Sequence, residues 1–544
     1  MRKTSIVKKV FLLATVFCIV SFMFALLHAQ TKTTTPITKS TLVRPTKAAE
    51  TPTAKPTQKP RYGGTLKLSD ERDGPFFGYP PKQTSIMSQR QAAPAIETLF
   101  RLDKTGKLIP WLATGYAGNA AAKAVTLTIR EGVKFHDGTD FNAEAVKWNL
   151  DQCMSARSGG TEKFKSIDIV NDYTVRINLI EWDNTITSQL NQTIGMMISP
   201  TAYKKNGEEW CANNPVGTGP FQFVSSEKDV RTVYKRFDGY WQKGKPYLDR
   251  IEWTPIMDSL TRQLSFRKGE LDLALTVSPK DLAGFEKDGY VVTRRPAGSG
   301  TFSVIHDSAN PKSPFANLKV RQASQYAIDT KAIAKTIFYG EVEPVNQWIY
   351  KGHWAFNPSI VGYPYNPAKA KQLLTEAGYP NGFKTKIIYI TSTENDQLYA
   401  AVQGYLKAVG IDAELEPVQR IRYDQIALQG GKWEGLIHSG VMGIPDVAAA
   451  LISRHMGGEK YYTQMLAPDD YQKALKNAIA APDFKGKQKW TQEAMKLMID
   501  KYCLRIVFCS RSDFAVKQPY LHNHGFFETP NTAWWTPEDA WLER

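Results

Sequence analysis

The stretch Leu127-Thr-Ile-Arg-Glu-Gly-Val-Lys-Phe-His-Asp-Gly-Thr-Asp-Phe-Asn-Ala-Glu-Ala-Val146 decides the fold. Its lead-in alternates strictly, with Val125, Leu127 and Ile129 on one face, which predicts a half-buried strand. Asp137-Gly138 marks a tight turn at Phe135–Thr139. Asn142 then stands where a side-chain oxygen would cap a helix running to about Ala156. Strand, turn and capped helix within thirty or so residues point to a mixed α/β body.

The same grammar continues outward. Tyr62-Gly-Gly-Thr-Leu-Lys-Leu-Ser69 reads as a short strand entering a Gly/Pro loop that lasts to Pro81. Asn366-Pro367 supplies a cap and a first-turn proline, Gly378 a stop, and Ala370, Leu373, Leu374 and Ala377 one apolar face. The following helix places Leu398, Ala401, Val402, Tyr405, Leu406 and Val409 on one face and stops at Gly410, after which Ile411, Ala413 and Leu415 alternate as a strand. No fixed period repeats, so the chain is an α/β body of several lobes rather than a solenoid.

Length and charge narrow the function. The 544 residues allow about three domains at roughly 100–200 residues each. The net charge is +16, but residues 1–60 hold ten Lys/Arg against Glu50 alone, so the rest of the chain carries only +7. No basic block with interleaved aromatics follows residue 60, and a nucleic-acid partner is not expected.

The N-terminus has the form of an export leader: Arg2, Lys3, Lys8 and Lys9, then an apolar run from Val10 to Leu27. Cleavage after Leu27-His28-Ala29, retention as an anchor and lipidation at Cys18 all remain open. Residues 31–60 hold ten Thr, five Pro, six Lys/Arg and no aromatic residue, the composition of a disordered spacer. A body held outside the cytoplasm, periplasmic or tethered to the outer face of the membrane, is the expectation.

Catalytic and metal signatures are missing. There is no GxGxxG, P-loop, GxSxG or HExxH, and the Gly217-Thr-Gly-Pro220 turn loses a phosphate-cradling donor at Pro220. Cys153, Cys211, Cys503 and Cys509 show no CxxC spacing, and Cys503 and Cys509, roughly 20 Å apart in an extended strand, cannot bridge each other. Buried free thiols are expected. His522-Asn-His524 reads as a solvated terminal loop rather than a metal site, and His136 as structural. No catalytic residue, metal ligand or cofactor is assigned.

The opening stretch resembles the signature of the family-five extracytoplasmic solute-binding proteins, the peptide- and nickel-type receptors of ABC importers. Further blocks follow in that family's order: Glu97-Thr-Leu-Phe-Arg-Leu-Asp103, Pro215-Val-Gly-Thr-Gly-Pro-Phe221, Gly239-Tyr-Trp241 and Lys245-Pro-Tyr-Leu-Asp249. Val320-Arg-Gln-Ala323, Tyr326-Ala-Ile-Asp329, Asn366–Leu374 and Glu376-Ala-Gly378 complete the series, which spans residues 61–544. The resemblance implies a two-lobe periplasmic-binding-protein fold, type II and cluster C-like, with a small extra domain on the first lobe. By that analogy the first lobe takes 61–100, 215–300 and 505–544, the small domain 101–214, and the second lobe 301–504. The crossings would lie near Gly300 and Cys503 and act as the hinge.

The implied function is capture of a solute, foremost a peptide, between the lobes and delivery to an ABC permease and its ATPase, by a monomer that catalyses nothing. An oligosaccharide or metal chelate, or a sensing role without transport, is the alternative within the same fold; a secreted hydrolase would need a nucleophile–base pair that the sequence does not offer. In peptide-binding members an aspartate on the second lobe, just after a Gly-Trp, commonly anchors the ligand's amino terminus. Here Val441 stands where that Trp often is, and Asp446, the only carboxylate of the stretch after Glu434, lies about two residues later. The loop Thr391–Asp396 has no arginine, where dipeptide-type members place one. A longer peptide or a neutral ligand suits these losses. Ligand contacts are therefore expected from Val441 and Asp446, from the aromatic group Trp348, Tyr350 and Trp354, and from Arg72 and Asp73 in the first loop. Trp534, Trp535 and Trp541 read as core of the first lobe.

Overall fold

The computed structural model describes residues 59–295, 300–439, 446–455, 460–529 and 534–544. The leader, nearly all of the spacer and Val441 lie outside the described residues. Among those described, no helix is long and apolar enough to cross a membrane.

The signature folds as its residues dictate. Ala124–Ile129 is a strand whose Val125, Leu127 and Ile129 are buried. It pairs antiparallel with Ala113–Asn119 on one side and Thr174–Leu179 on the other, and Phe164–Asn171 completes a four-stranded sheet. Helix Ala143–Ser155 starts at Asn142, whose side chain accepts the Ala145 N–H at 3.0 Å. Ala143, Val146, Leu150 and Cys153 bury its inner face in one apolar cluster with the sheet.

A seven-stranded sheet is built from distant pieces. Its order is Phe221–Glu227, Arg231–Arg236, Arg250–Trp253, Thr65–Ser69, Leu273–Leu275, Phe514–Lys517 and Val291–Arg294. Thr65–Ser69 runs parallel to both of its neighbours. A five-stranded sheet orders Ile411–Val418, Phe383–Ile390, Leu436–Ser439, Thr301–His306 and Arg505–Ser510. Its first three strands are parallel and the last two antiparallel additions.

That register corrects one border. The second crossing was expected near Cys503, but Arg505–Ser510 pairs with Thr301–His306 and belongs to the five-stranded sheet. The stretch from Leu504 to Cys509 is buried on both faces, as a strand covered on both sides must be. The chain therefore crosses at residues 511–513. There the Arg295 N–H donates to the Asp513 carbonyl at 3.0 Å and the Arg511 N–H to the Gly300 carbonyl at 2.9 Å, so the two connections run side by side. Phe302, Phe508, Phe514 and Val516 share one apolar cluster across this join.

A buried carboxylate helps to fasten the small sheet to the seven-stranded one. Glu97 is 1% exposed and accepts hydrogen bonds from Trp111 Nε1 (2.7 Å), Thr218 Oγ1 (2.8 Å), Tyr240 Oη (2.9 Å) and Trp241 Nε1 (3.0 Å), with Arg101 Nη2 3.7 Å away. Side chains from two blocks more than a hundred residues beyond Glu97, Thr218 and Tyr240-Trp241, thus meet on it. His136 adds a second tie from the signature turn, its Nε2 lying 2.9 Å from the Gly219 carbonyl. Burial lowers its pKa to about 4, which keeps the ring neutral. The four cysteines are free and buried, and burial raises the Cys153 and Cys503 thiols to about 12, leaving them inert.

Candidate ligand-binding cleft

Parallel strands in α/β sheets present ligand sites beyond their carboxyl ends. Asp70 follows Thr65–Ser69 and Thr276 follows Leu273–Leu275. Asp70 is fully buried; its Oδ2 accepts from Arg90 Nη1 at 2.8 Å and its Oδ1 from Thr276 Oγ1 at 2.8 Å. Thr276 holds φ +54°, a left-handed conformation that a β-branched residue rarely adopts. Arg262, 2% exposed, donates to the Thr276 carbonyl at 2.9 Å and to the Ile256 carbonyl.

The crossing strands add the second half of a polar seam. Arg295 is 2% exposed, lies 3.1 Å from Asp513 Oδ2 and packs over the Phe527 ring at 4.7 Å. Burial depresses its guanidinium to about 10, a loss only partly opposed by Asp513. Burial pushes the Asp513 carboxyl up, but Arg295, Arg90 and Arg511 together outweigh it and hold the group below the usual range. Glu394 is raised by burial, with Arg511 opposing. Four arginines (Arg90, Arg262, Arg295, Arg511) and three carboxylates (Asp70, Asp513, Glu394) therefore share this seam. Arg295 Nε and the buried Thr301 hydroxyl have no hydrogen-bond partner among the described residues, so hydrogen-bonding capacity remains there for water or a solute.

The expected contacts are distributed differently. Trp348 is 1% exposed, sits edge-on to His455 at 4.6 Å and covers the Arg505 guanidinium at 4.6 Å. Tyr350 and Trp354 are buried too: Tyr350 Oη donates to the Lys104 carbonyl at 2.8 Å and the Trp354 N–H to the Thr105 carbonyl at 3.1 Å. The trio is core, and it joins the turn after Phe100–Leu102 to the five-stranded body. Asp446 spends its charge locally. One oxygen accepts the Ala449 N–H at 3.0 Å at the start of helix Val447–His455, and the other accepts Ser188 Oγ at 2.6 Å and the buried Lys487 ammonium. Trp354, Asp446 and Lys487 do line a cavity of about 230 Å³, closed on the other side by Lys107, Tyr116 and Trp182. Arg72 is exposed, whereas Asp73 accepts the Asp229 N–H at 2.9 Å and has its carboxyl raised by burial. Asp73 thus pins a hairpin through one oxygen, while its Oδ1 has no hydrogen-bond partner among the described residues.

The histidine pair also departs from expectation. His522 lies 3.1 Å from Glu543 and stacks on Trp541, while His524 is buried, 3.1 Å from Thr293 Oγ1. Neither is a solvated loop residue. Sequence reading missed Asp70, Arg90, Arg295, Arg511 and Asp513. A signal existed in Ser510-Arg-Ser-Asp513, a charged interruption between two apolar strands, where a buried crossing would have to pair its charges.

Two sheets joined by two adjacent connections, with a third sheet fastened to the first, is the architecture of a two-lobe periplasmic binding protein. Solved structures bear this out. The periplasmic binding protein DppA from Helicobacter pylori, in complex with the peptide STSA, superimposes with a TM-score of 0.69 at 24% identity, covering 89% of this chain and 99% of that one. NikA from Brucella suis, in complex with Fe(III)-EDTA, gives 0.76 at 23% identity over 87% of this chain and all of that one. The family model for bacterial extracellular solute-binding proteins, family 5, matches residues 107–459, and the chain belongs to that family. It is a solute-binding protein rather than an enzyme. The glutathione-binding protein GsiB of Salmonella typhi is 35% identical over 314 residues, which is 57% of this chain and 60% of that protein. The alignment therefore spans less than two thirds of that relative's length.

Proposed function

We propose that this chain is the extracytoplasmic solute-binding component of an ABC importer, and that it captures a short peptide-type solute between its two lobes. The observation that carries the reading is the seam itself, where Arg90, Arg295 and Arg511 alternate with Asp70, Asp513 and Glu394 at the strand ends and crossings. A zwitterionic backbone needs both signs of charge, and groups already desolvated bind it without a further burial cost. The relative's affinity for glutathione, a tripeptide, agrees in class.

In this reading the first lobe comprises about 61–100, 215–300 and 511–544, the small domain 101–214 and the second lobe 301–510. The paired connections at Gly300 and 511–513 are the hinge. Solute touching both lobes favours the closed form, because only differential affinity shifts such an equilibrium. The closed monomer then engages a permease with its ATPase. Residues 1–30 export or anchor the chain, and residues 31–60 give the body reach from the membrane face.

Thermal unfolding of the full chain with glutathione and Ala-Ala-Ala tests the proposal. A solute at 100 times its Kd adds about 2.7 kcal/mol of stability, and no product accumulates on prolonged incubation. No shift with either peptide would contradict the peptide class.

A further inference from the structure

A second cavity, of about 350 Å³, opens between the segment Arg101–Trp111 and residues from Gly525–Thr529 and Trp534–Asp539. Trp111, Trp534 and Trp535 wall it. Four carboxylates (Asp103, Glu528, Glu538, Asp539) and three cations (Arg101, Lys104, Lys245) line it. Most are already committed. Asp103 closes its own turn through Thr105 and Lys107, and Asp539 lies 2.7 Å from Lys245. Arg101 stacks on Trp111 at 3.5 Å, reaches Glu538 Oε1 at 2.6 Å and is shared with buried Glu97 at 3.7 Å.

What is left over is acceptor capacity. Glu538 is 2% exposed, yet its Oε2 has no hydrogen-bond partner among the described residues. Glu528 stands exposed on the rim without an ion pair among them, its carboxyl raised by partial desolvation and by Glu538 and Asp539, with Lys104 and Arg101 opposing. One guanidinium thus serves two buried acids, Glu97 and Glu538, while Glu528 feels Lys104 and Arg101 only at a distance. A buried carboxylate with an unused oxygen is costly unless a donor reaches it. The donor that satisfies the buried Glu538 oxygen and also meets the rim carboxylate of Glu528 between indole walls is an ammonium or guanidinium. A metal ion is a poorer occupant, because no group of three His, Cys, Asp or Glu side chains is assembled among the described residues.

We infer that this cavity takes the cationic group of a bound organic solute, with Glu528 and the second oxygen of Glu538 as acceptors and Trp111 and Trp534 as walls. The inference rests on the solute-binding reading and adds a preference for basic solutes.

Isothermal titration of the full chain with agmatine and with its neutral counterpart N-butylurea tests it. Agmatine binds at least 10-fold more tightly, and Glu528→Gln and Glu538→Gln each weaken it by roughly 10- to 100-fold, the value of a charged hydrogen bond. Glu528→Gln is the cleaner variant, since that side chain supports no other residue's geometry. Equal binding of the two probes, or no binding of agmatine, overturns the inference. Ala-Ala-Ala and Ala-Arg-Ala separate it from the peptide reading. If both bind equally and agmatine does not, the cavity assignment fails and the peptide class stands. If agmatine binds and neither tripeptide does, the peptide class fails and the cavity assignment stands.

Discussion

Arg101 lies between two buried acids that differ in one respect. Glu97 receives four hydrogen bonds from Trp111, Thr218, Tyr240 and Trp241, so every lone pair has a use. Glu538 receives one short bond from Arg101 and keeps an oxygen without a partner beside a cavity. Both side chains are almost fully buried. Unused hydrogen-bonding capacity distinguishes a carboxylate that holds the fold from one placed to meet something else.

The largest expected effect tests the first half of that contrast. Glu97→Ala strands four donors and half of Arg101's charge in the interior, and should cost about 3–5 kcal/mol in denaturant unfolding. A loss under about 1 kcal/mol would show that the knot is not what joins the small sheet to the large one. Trp348→Ala comes next, about 3–5 kcal/mol for an aromatic removed from a packed core. Arg72→Ala, on the exposed loop, should stay within about 0.5 kcal/mol. Equal effects at these two positions would undo the separation of core from rim.

A smaller effect appears on acidification. His306 is fully buried between the Leu504 carbonyl at 3.3 Å and Ser324 Oγ at 3.0 Å, and burial, helped by Arg321, lowers its pKa to about 3. The unfolded chain takes up this proton near pH 6.5 and the folded one only near 3. The histidine's contribution is therefore whole above 6.5 and is lost as pH falls toward 3, at about 1.4 kcal/mol per pH unit. Unfolding of His306→Asn across pH 4–7 should show a slope shallower by that amount, and an unchanged slope would mean the ring is protonated in place. A last variant closes the contrast: Glu538→Gln keeps one acceptor for Arg101 and should change folding stability by less than about 1 kcal/mol, far below Glu97→Ala.

Local structure was legible wherever one residue type determines it. Asn142, Asn366 and the Val125/Leu127/Ile129 alternation each gave their element because capping and period-two burial act within a few residues. The cleft was harder to read. Trp348, Tyr350 and Trp354 have the composition of a ligand wall, but which side of a segment faces a gap depends on the partner body, and here that body is the turn at Lys104–Thr105 for Tyr350 and Trp354 and the His455–Arg505 pair for Trp348. Asp446 was singled out as a carboxylate without its expected neighbours, and its partners Ser188 and Lys487 come from remote elements that no spacing rule links. The seam's arginines were passed over because their acids lie elsewhere in the chain, Arg295 with Asp513 and Arg90 with Asp70.

The central claim is that the seam between the two sheets holds a peptide-type solute, and mass spectrometry of whatever acid releases from the purified full chain tests it most directly. Short peptides of one narrow length, enriched in Lys or Arg, are the expected release. A chain that arrives empty and then fails to respond to a mixed peptide library would contradict it, and the family's non-peptide solutes would take its place.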